Sequence, residues 1–328
     1  MKRLSLAAVL IAAFAGVAQA GALVPEHVSA DAKWVGHVNC EAMRGSKLVQ
    51  AGMEHWMKKG DCQAKIAAMS EKLGMNPMKD LLAVTLYDTA YDHDPGVAIV
   101  YVKNADQKKL IGLLHEKCPD VETAKHGERT LYTWTAKHRH HGEHEITGCF
   151  ADAGTMVVSS DPHKVRAALD VIDGKKDGLA KDSPLTQGVS KSTLFMSRAV
   201  DVDAEYQKTT RCPVLKKCTA ASVQWTERKG QLTGKYVLEA NCEETAQQIG
   251  TIAEGLKAMA ILRFGSDETV TSLMDGVKSK VKGTTFTLSV KVATDDVLAA
   301  ARKCMERGKA RWDHHKKAAA KHEAKKEG

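Results

Sequence analysis

Residues 31–48 read DAKWVGHVNCEAMRGSKL and predict a β-strand that runs directly into an amphipathic helix. Over residues 32–39 the side chains alternate between two faces, with Trp34, Gly36 and Val38 on one face, as in a half-buried strand. Beyond this segment the apolar period lengthens to that of a helix lying on the sheet. The residues on that side of the helix are Met43, Lys47, Leu48, Met53, Trp56 and Met57.

Apolar alternation recurs along the chain in pairs of segments separated by turn residues, which is the pattern of antiparallel hairpins. The predicted strand pairs are residues 81–88 with 96–103, 129–135 with 145–150 and 221–227 with 232–239, and further strands are predicted at 155–160, 193–202 and 284–292. Because the strands come in hairpins and the helices in separate blocks, the predicted class is α+β. Antiparallel sheets covered by amphipathic helices are expected.

Helices are predicted between these strands from apolar residues at helical spacing and from capping residues. They begin near residues 61, 104 or 106, 161, 243 and 294, and a further helical pattern covers 270–277. We expect the longest helix to turn four apolar residues toward the sheet, namely Ile249, Ile252, Leu256 and Met259. Both halves of the chain show a strand, a helix, a hairpin and a helix, which leaves a diverged internal duplication open.

Several segments together resemble a family of uncharacterised exported bacterial proteins. The likeness lies in LVPEHVSADAKWVGHVNCEAMRGSKL, GMNPMKDLLAVTLYD, GVAIVYVK, LYTW and VVSSDPHKVRAALDVIDG, and it covers residues 23–175 better than the remainder. The resemblance implies an exported α+β domain and brings no catalytic residues with it. The His-rich segment and the number of cysteines depart from the family pattern.

The first twenty residues predict a secretory signal peptide. A basic start precedes an apolar run over residues 4–17, and Ala18 and Ala20 are the small residues that a signal peptidase reads. An uncleaved anchor is the alternative, but the run is short for spanning a bilayer. We therefore expect a mature chain that begins at Gly21, lies in the periplasm or outside the cell, and has no transmembrane segment after cleavage.

The rest of the chain divides by composition into two halves and a tail. We expect an N-terminal α+β half over residues 21–175, a linker at 176–192, a C-terminal α+β half at 193–310 and a basic, solvated helical tail at 311–328. Residues 21–301 contain 36 basic and 36 acidic side chains. A balanced body with a basic tail argues against nucleic-acid binding, and the tail is the part expected to meet an acidic surface.

Eight cysteines follow the predicted signal peptide, an even number that suits disulfides in an oxidising compartment. Cys212 and Cys218 bracket a short Pro-containing loop, so we predict a disulfide between them. The pairing of the others stays open: Cys40, Cys62, Cys118, Cys149, Cys242 and Cys304. The chain has no Cys-x-x-Cys segment, which argues against thioredoxin-type redox chemistry and c-type haem attachment.

The chain has no GxGxxG or GxxxxGK[ST] phosphate loop, no GxSxG elbow, no HExxH segment and no EF-hand loop. The acidic groups around residues 88–94 and 201–205 could hold a hard cation, but solvated turns explain them better. We therefore expect a protein that is not an enzyme, and an enzyme with an unmarked active site ranks third among the hypotheses.

One histidine-rich segment points to a specific chemistry. Residues 137–145 read KHRHHGEHE at the tip of a predicted hairpin. Neutral imidazole suits zinc, copper and nickel, so the candidate ligands are His138, His140, His141 and His144. The alternative is a solvated loop that takes up metal only when metal is plentiful.

Two functional hypotheses follow from these patterns. The first is an exported, non-enzymatic protein of the cell envelope that acts as an interaction or structural module, with an envelope protein or an acidic surface as partner. The alternative is an extracytoplasmic protein that binds a divalent metal through the His-rich hairpin loop.

Overall fold

The computed structural model describes residues 21–58, 60–91, 96–103, 105–138, 142–202, 204–265 and 267–306. The described strands form a single antiparallel sheet of twelve strands. In chain order they are β1 (Trp34–Asn39), β2 (Leu81–Asp88), β3 (Val97–Val102), β4 (Glu122–His126), β5 (Arg129–His138), β6 (Gly142–Phe150), β7 (Thr155–Ser159), β8 (Thr193–Ala199), β9 (Cys218–Arg228), β10 (Gln231–Ala240), β11 (Val277–Lys282) and β12 (Thr285–Ala293). The α+β class with an antiparallel sheet is confirmed.

Helices connect the strands and cover parts of the sheet. They are α1 (Cys40–Gly45), α2 (Lys47–Met57), α3 (Cys62–Leu73), α4 (Pro77–Asp80), α5 (Gln107–Lys117), α6 (Pro162–Ile172), α7 (Ala204–Thr209), α8 (Glu243–Phe264) and α9 (Glu268–Asp275). A last helix, α10, follows β12 and is described over residues 294–306.

The two halves of the sheet have the same topology. The N-terminal half orders its strands β1-β2-β3-β7-β6, and the C-terminal half orders its strands β8-β9-β10-β12-β11. The two first strands, β1 and β8, pair antiparallel at the centre of the sheet. The N-terminal half adds the hairpin β4–β5 at its outer edge. This correspondence supports the internal duplication that the order of elements had left open.

The alternation along β1 defines the two faces of the sheet, which we call the Trp34 face and the Val35 face. Val35 is fully buried and lies opposite Arg198 of β8, so both belong to the Val35 face. In the N-terminal half, α6 packs its buried residues Val165 and Leu169 on that face. In the C-terminal half the apolar core lies on the Trp34 face, where α8 packs against Phe286.

The segment that follows β1 forms two helices instead of the single helix that we predicted. Ser46 has an extended backbone (φ −77°, ψ 124°) and its hydroxyl oxygen accepts a hydrogen bond from Val49 N, so it ends α1 and caps α2. The Ser46 hydroxyl also donates to the carboxylate of Glu227 in β9. Trp56 is 48% exposed, because the break redirects α2 away from the sheet.

Most predicted elements are confirmed to within a few residues, and two strands were missed. β2 has the predicted bounds, and α3 ends at Gly74, whose φ of +68° is the left-handed conformation of a helix C-cap. β4 was missed because four of its five residues are exposed and lack apolar alternation. β11 was missed because its alternate lysines obscured the partly buried positions between them.

The prediction for the long helix α8 is wrong for three of the four residues that we expected to face the sheet. Ile249 is buried, but Ile252, Leu256 and Met259 are 54%, 62% and 66% exposed. Leu262, one turn further, is 87% exposed. The side of α8 that packs on the sheet carries Ala246, Ile249 and Ala253, and the exposed apolar residues lie on a neighbouring side of the helix.

The predicted linker contributes side chains to the core. Residues 176–192, predicted to be a linker, place Leu179 and Leu185 in the core of the N-terminal half. The predicted signal peptide (1–20) and tail (311–328) lie outside the described residues. None of the helices in the described ranges is long and apolar enough to cross a bilayer.

Candidate functional site

The predicted His-rich hairpin is formed by β5 and β6. His138 is the last residue of β5 and pairs with Gly142, while His144 lies on β6 opposite Ala136 and is exposed. Gly142 has a φ of +78°, in the left-handed region that glycine adopts readily. His140 and His141 lie outside the described residues. Among the residues that are described, no cluster of three potential metal ligands occurs.

The predicted disulfide between Cys212 and Cys218 is not formed in the structure, where both are free thiols. Cys218 is buried, and its thiol donates a hydrogen bond to the carbonyl oxygen of Val214 at 3.3 Å. Burial raises the pKa of the Cys218 thiol, so the reactive thiolate is disfavoured. Cys212 is exposed on the other side of the short loop.

Among the acidic candidates, Asp88 is buried at the end of β2 and serves the fold. Its carboxylate accepts hydrogen bonds from Lys164 Nζ and from Thr89 N, each at 2.7 Å. Asp201 lies on the surface and forms an exposed ion pair with Lys33. The other candidates Asp92, Asp94 and Asp203 lie outside the described residues, so of the two predicted acidic groups the structure shows only that Asp88 and Asp201 each have a cationic partner.

A buried histidine in β1 also proves to be structural. His37 is 1% exposed, with Nδ1 2.9 Å from Thr85 Oγ1 and Nε2 3.1 Å from the carbonyl oxygen of Gly21. A carbonyl can only accept, so Nε2 donates and Nδ1 accepts from the threonine hydroxyl. Desolvation lowers the pKa of His37 to about 4, which keeps the ring neutral.

The best-formed candidate site is an apolar cavity on the Trp34 face of the N-terminal half. Its floor consists of residues that neighbouring strands present to the same side, since Val100 pairs with Met156 and Met156 pairs with Phe150. In the adjacent row, Val158 pairs with Gly148. A side chain at Gly148 would approach the Trp134 ring to 3.2 Å, so the absent side chain leaves room for the indole.

Helices α3 and α5 form the roof of this cavity. Leu110, Ile111 and Leu114 on α5 line it together with Leu73 at the end of α3. Neither helix has a fully buried residue, although both carry apolar side chains toward the sheet. The helices therefore cover the strands without filling the space between them.

The cavity has a volume of about 360 Å³. Its lining residues are almost all aliphatic or aromatic: Leu73, Met75, Pro77, Leu81, Val100, Val102, Leu110, Ile111, Leu114, Tyr132, Trp134, Gly148, Cys149, Phe150, Met156 and Val158. Small-molecule sites in proteins have volumes of roughly 300–1,000 Å³ and mainly apolar walls. Among the described residues, no charged side chain lines the cavity, so its chemistry is that of a site for hydrocarbon.

Sequence reasoning missed this site although it predicted most of the elements that build it. The apolar positions of α5 and the alternation of β3 were both recognised, but each is equally typical of a filled core. The one local signal is the position of Gly148, where β6 has no side chain beside a tryptophan. The distance between helix and sheet is set by contacts far apart in the chain.

A second cavity lies on the same face of the sheet, under α7 in the C-terminal half. It has a volume of about 520 Å³, and its walls include Trp34, Tyr91, Tyr206 and Tyr236. The rings of Tyr91 and Tyr206 are tilted against each other with centroids 5.2 Å apart. This cavity is more polar than the first, because serine and tyrosine hydroxyls contribute to its lining.

Comparison with known proteins finds low sequence similarity, and only to solved structures. No family model and no curated protein matches it. Among solved structures it is similar to crystal form III of TP0453, with a TM-score of 0.44 and 11% sequence identity over 84% of this chain and 97% of that chain. For crystal form I of TP0453 the TM-score is 0.43 at 10% identity, over 84% of this chain and 96% of that chain.

Proposed function

We propose that the protein is an exported, non-enzymatic module of the cell envelope that binds an apolar molecule in the cavity beneath α3 and α5. The ligand class is a hydrocarbon chain, such as the acyl chain of a fatty acid or lipid. The observation that carries this proposal is a preformed cavity of about 360 Å³ whose described lining residues include no charged side chain.

The energetics of the cavity favour occupation by an apolar ligand. An unfilled space deprives the side chains around it of dispersion contacts, which destabilises the fold that surrounds it. A water molecule in such a space is poorly stabilised, because the walls offer few hydrogen-bond partners. Each buried CH₂ group of a ligand contributes about 0.8 kcal/mol, so a chain of several carbons suffices for measurable binding.

The proposed export is supported by the basic start, the apolar run and the small residues at Ala18 and Ala20. The proposed absence of catalysis is supported by the character of the cavity, which presents hydrocarbon where an enzyme would need an acid, a base or a nucleophile. Binding of an apolar molecule is thus the particular activity that we propose for the interaction module expected from the sequence.

Replacing Leu114 by Glu is expected to weaken the binding of saturated fatty acids at least roughly tenfold, because a carboxylate in an apolar wall must remain solvated or exclude the ligand. Binding is measured by competition with a neutral fluorescent naphthylamine probe. In the unmodified protein, affinity should rise roughly tenfold for two added CH₂ groups until the cavity is full. Val100→Phe, which fills the floor without adding charge, should also weaken binding.

The matched control is Leu262→Glu, the same substitution on the exposed face of α8. It should leave affinity within a factor of about two, since Leu262 lies outside the cavity. Equal losses in the two glutamate variants would place the ligand on exposed hydrophobic surface and contradict the proposal. Failure of the unmodified protein to take up either probe or fatty acid would also contradict it, and circular dichroism confirms that each variant is folded.

The metal-binding alternative remains a second proposal because the β5–β6 hairpin is formed. Its register pairs His138 with Gly142 and Ala136 with His144. Positions 138 and 144 are therefore diagonal neighbours across two paired strands, with three residues of connection between the strands. The candidate ligands are His138, His140, His141 and His144.

Under this alternative, changing the four histidines to Ala should abolish the binding of zinc, copper and nickel at a pH of about 7.5. Binding to the unmodified protein should weaken at a pH of about 5.5, because only neutral imidazole coordinates a metal and the ordinary pKa of His is about 6.5. Calorimetric titration measures both effects. Equal affinity in the two proteins at the higher pH would leave the loop as a solvated turn.

A further inference from the structure

The Val35 face of the C-terminal half carries a concentration of positive charge, and we call this surface the basic face. Strand register places its members on one side of the sheet, since Arg198 pairs with Ser222, which pairs with Val237. Val237 pairs with Thr287, and Thr287 pairs with Lys280 at the sheet edge. The cationic residues of the basic face are Arg198, Arg228, Lys235, Lys278, Lys280, Lys282 and Lys291.

The positive charge on this surface is not balanced locally. Among the described side chains of these strands on this face, Glu239 is the one carboxylate, and it accepts hydrogen bonds from the hydroxyls of Thr284 and Thr285. None of the lysines on the basic face lies in an ion pair with a described carboxylate. The body of the chain over residues 21–301 has 36 charges of each sign, so the imbalance is a property of this face.

Arg198 lies at the inner end of the basic face beside a hollow of about 650 Å³ between the sheet and residues 184–188. Its guanidinium donates to Pro184 O at 2.9 Å and to Gln224 Oε1 at 3.0 Å, while Nε is buried without a hydrogen-bond partner. Burial lowers the pKa of Arg198. Neutral acceptors thus hold a cation whose charge no described carboxylate offsets, which raises the positive potential in the hollow.

The other side chains of the basic face are hydroxyls and amides that can exchange hydrogen bonds with a polar ligand. They include Ser222, Gln224, Thr226, Thr233, Thr287 and Ser289. The aromatic residues of these strands alternate onto the Trp34 face, namely Phe195, Trp225, Tyr236 and Phe286. The basic face therefore offers no ring for stacking bases and no apolar wedge for insertion into a bilayer.

We propose that the basic face binds a polyanionic carbohydrate. Along β11, Lys278, Lys280 and Lys282 recur at about 7 Å, and the row from Arg198 to Lys280 crosses four strand spacings, or about 19 Å. A linear chain of sugars with carboxylate or sulfate groups can meet several of these cations, while its hydroxyls pair with the serine and threonine side chains. This proposal is independent of the apolar cavity, which lies on the other face and in the other half of the sheet.

Binding of heparin to the full chain tests the proposal. The variant with Lys278, Lys280 and Lys282 all changed to Gln is expected to bind heparin at least roughly tenfold more weakly and with a shallower salt dependence, since fewer counterions are released. A second variant, Lys235→Gln with Lys291→Gln, removes two cations from inside the sheet and should weaken binding in the same direction.

The matched control changes three exposed lysines of the N-terminal half to Gln, namely Lys65, Lys72 and Lys108. It alters the net charge equally, and the basic tail is the same in all variants, so its affinity should stay within a factor of about two. Equal losses in the control and the β11 variant would overturn the proposal, since net charge would then explain binding. Unchanged heparin binding with aggregation of the β11 variant would assign these lysines to protection of the sheet edge and would also overturn it. Lysine-dependent binding to phosphatidylglycerol vesicles or single-stranded DNA, without heparin binding, would be a third contrary result.

Discussion

Replacing Lys164 by Met is expected to lower the free energy of unfolding by about 3 kcal/mol, because it leaves the carboxylate of Asp88 buried without its ammonium partner. Asp88 is 2% exposed, and Lys164 Nζ lies 2.7 Å from Asp88 Oδ2. The pair connects the end of β2 to the first turn of α6, the helix that covers the core of the N-terminal half. Urea unfolding followed by circular dichroism measures the loss.

The control for this prediction is Lys33→Met, which removes the cation of an exposed pair. Lys33 Nζ lies 3.2 Å from Asp201 Oδ2, and the two side chains are 40% and 76% exposed. Exposed pairs of this kind contribute at most about 1 kcal/mol, since water solvates the remaining charge. If the two lysine substitutions destabilise the protein equally, burial of Asp88 does not determine the strength of its ion pair.

The stability of the protein is expected to fall as the pH drops from about 6.5 to about 4, by roughly 3 kcal/mol from His37 alone. The pKa of His37 is lowered to about 4 in the folded chain by desolvation, whereas the unfolded chain has the ordinary value. Between these two values the unfolded state binds a proton that the folded state excludes. The contribution of His37 is therefore complete above the ordinary pKa and is lost as the pH falls toward the folded value.

Comparison with His37→Gln isolates this contribution. Glutamine does not titrate, so the variant should be less stable at neutral pH but should show a smaller decline in the free energy of unfolding across the same pH window. His163 is exposed on α6, and His163→Gln serves as the control that should leave the slope unchanged. Parallel pH profiles for the unmodified protein and His37→Gln would contradict the assigned role of His37.

The alternation of apolar residues was sufficient to predict a strand where alternate side chains are buried regularly. Thr285–Ala293 has alternating side chains on a strand between two neighbours, and its prediction as a strand is confirmed. The pattern failed at the edges of the sheet, since β4 exposes most of its side chains and β11 alternates lysine with small or branched residues. An edge strand needs fewer apolar residues because one side of it faces solvent, so its composition resembles that of a loop.

The sequence by itself determined the α+β class, the hairpins and the end of α3 at Gly74, because backbone conformation and apolar period act over a few neighbouring residues. Only the tertiary structure decided that α3 and α5 leave a cavity and that most of the apolar residues predicted to face inward on α8 are exposed. It also decided that lysines from separate strands lie on the same face of the sheet as Arg198. These features depend on distances between elements far apart in the chain. Such distances follow from the packing of the whole sheet, and no local period encodes them.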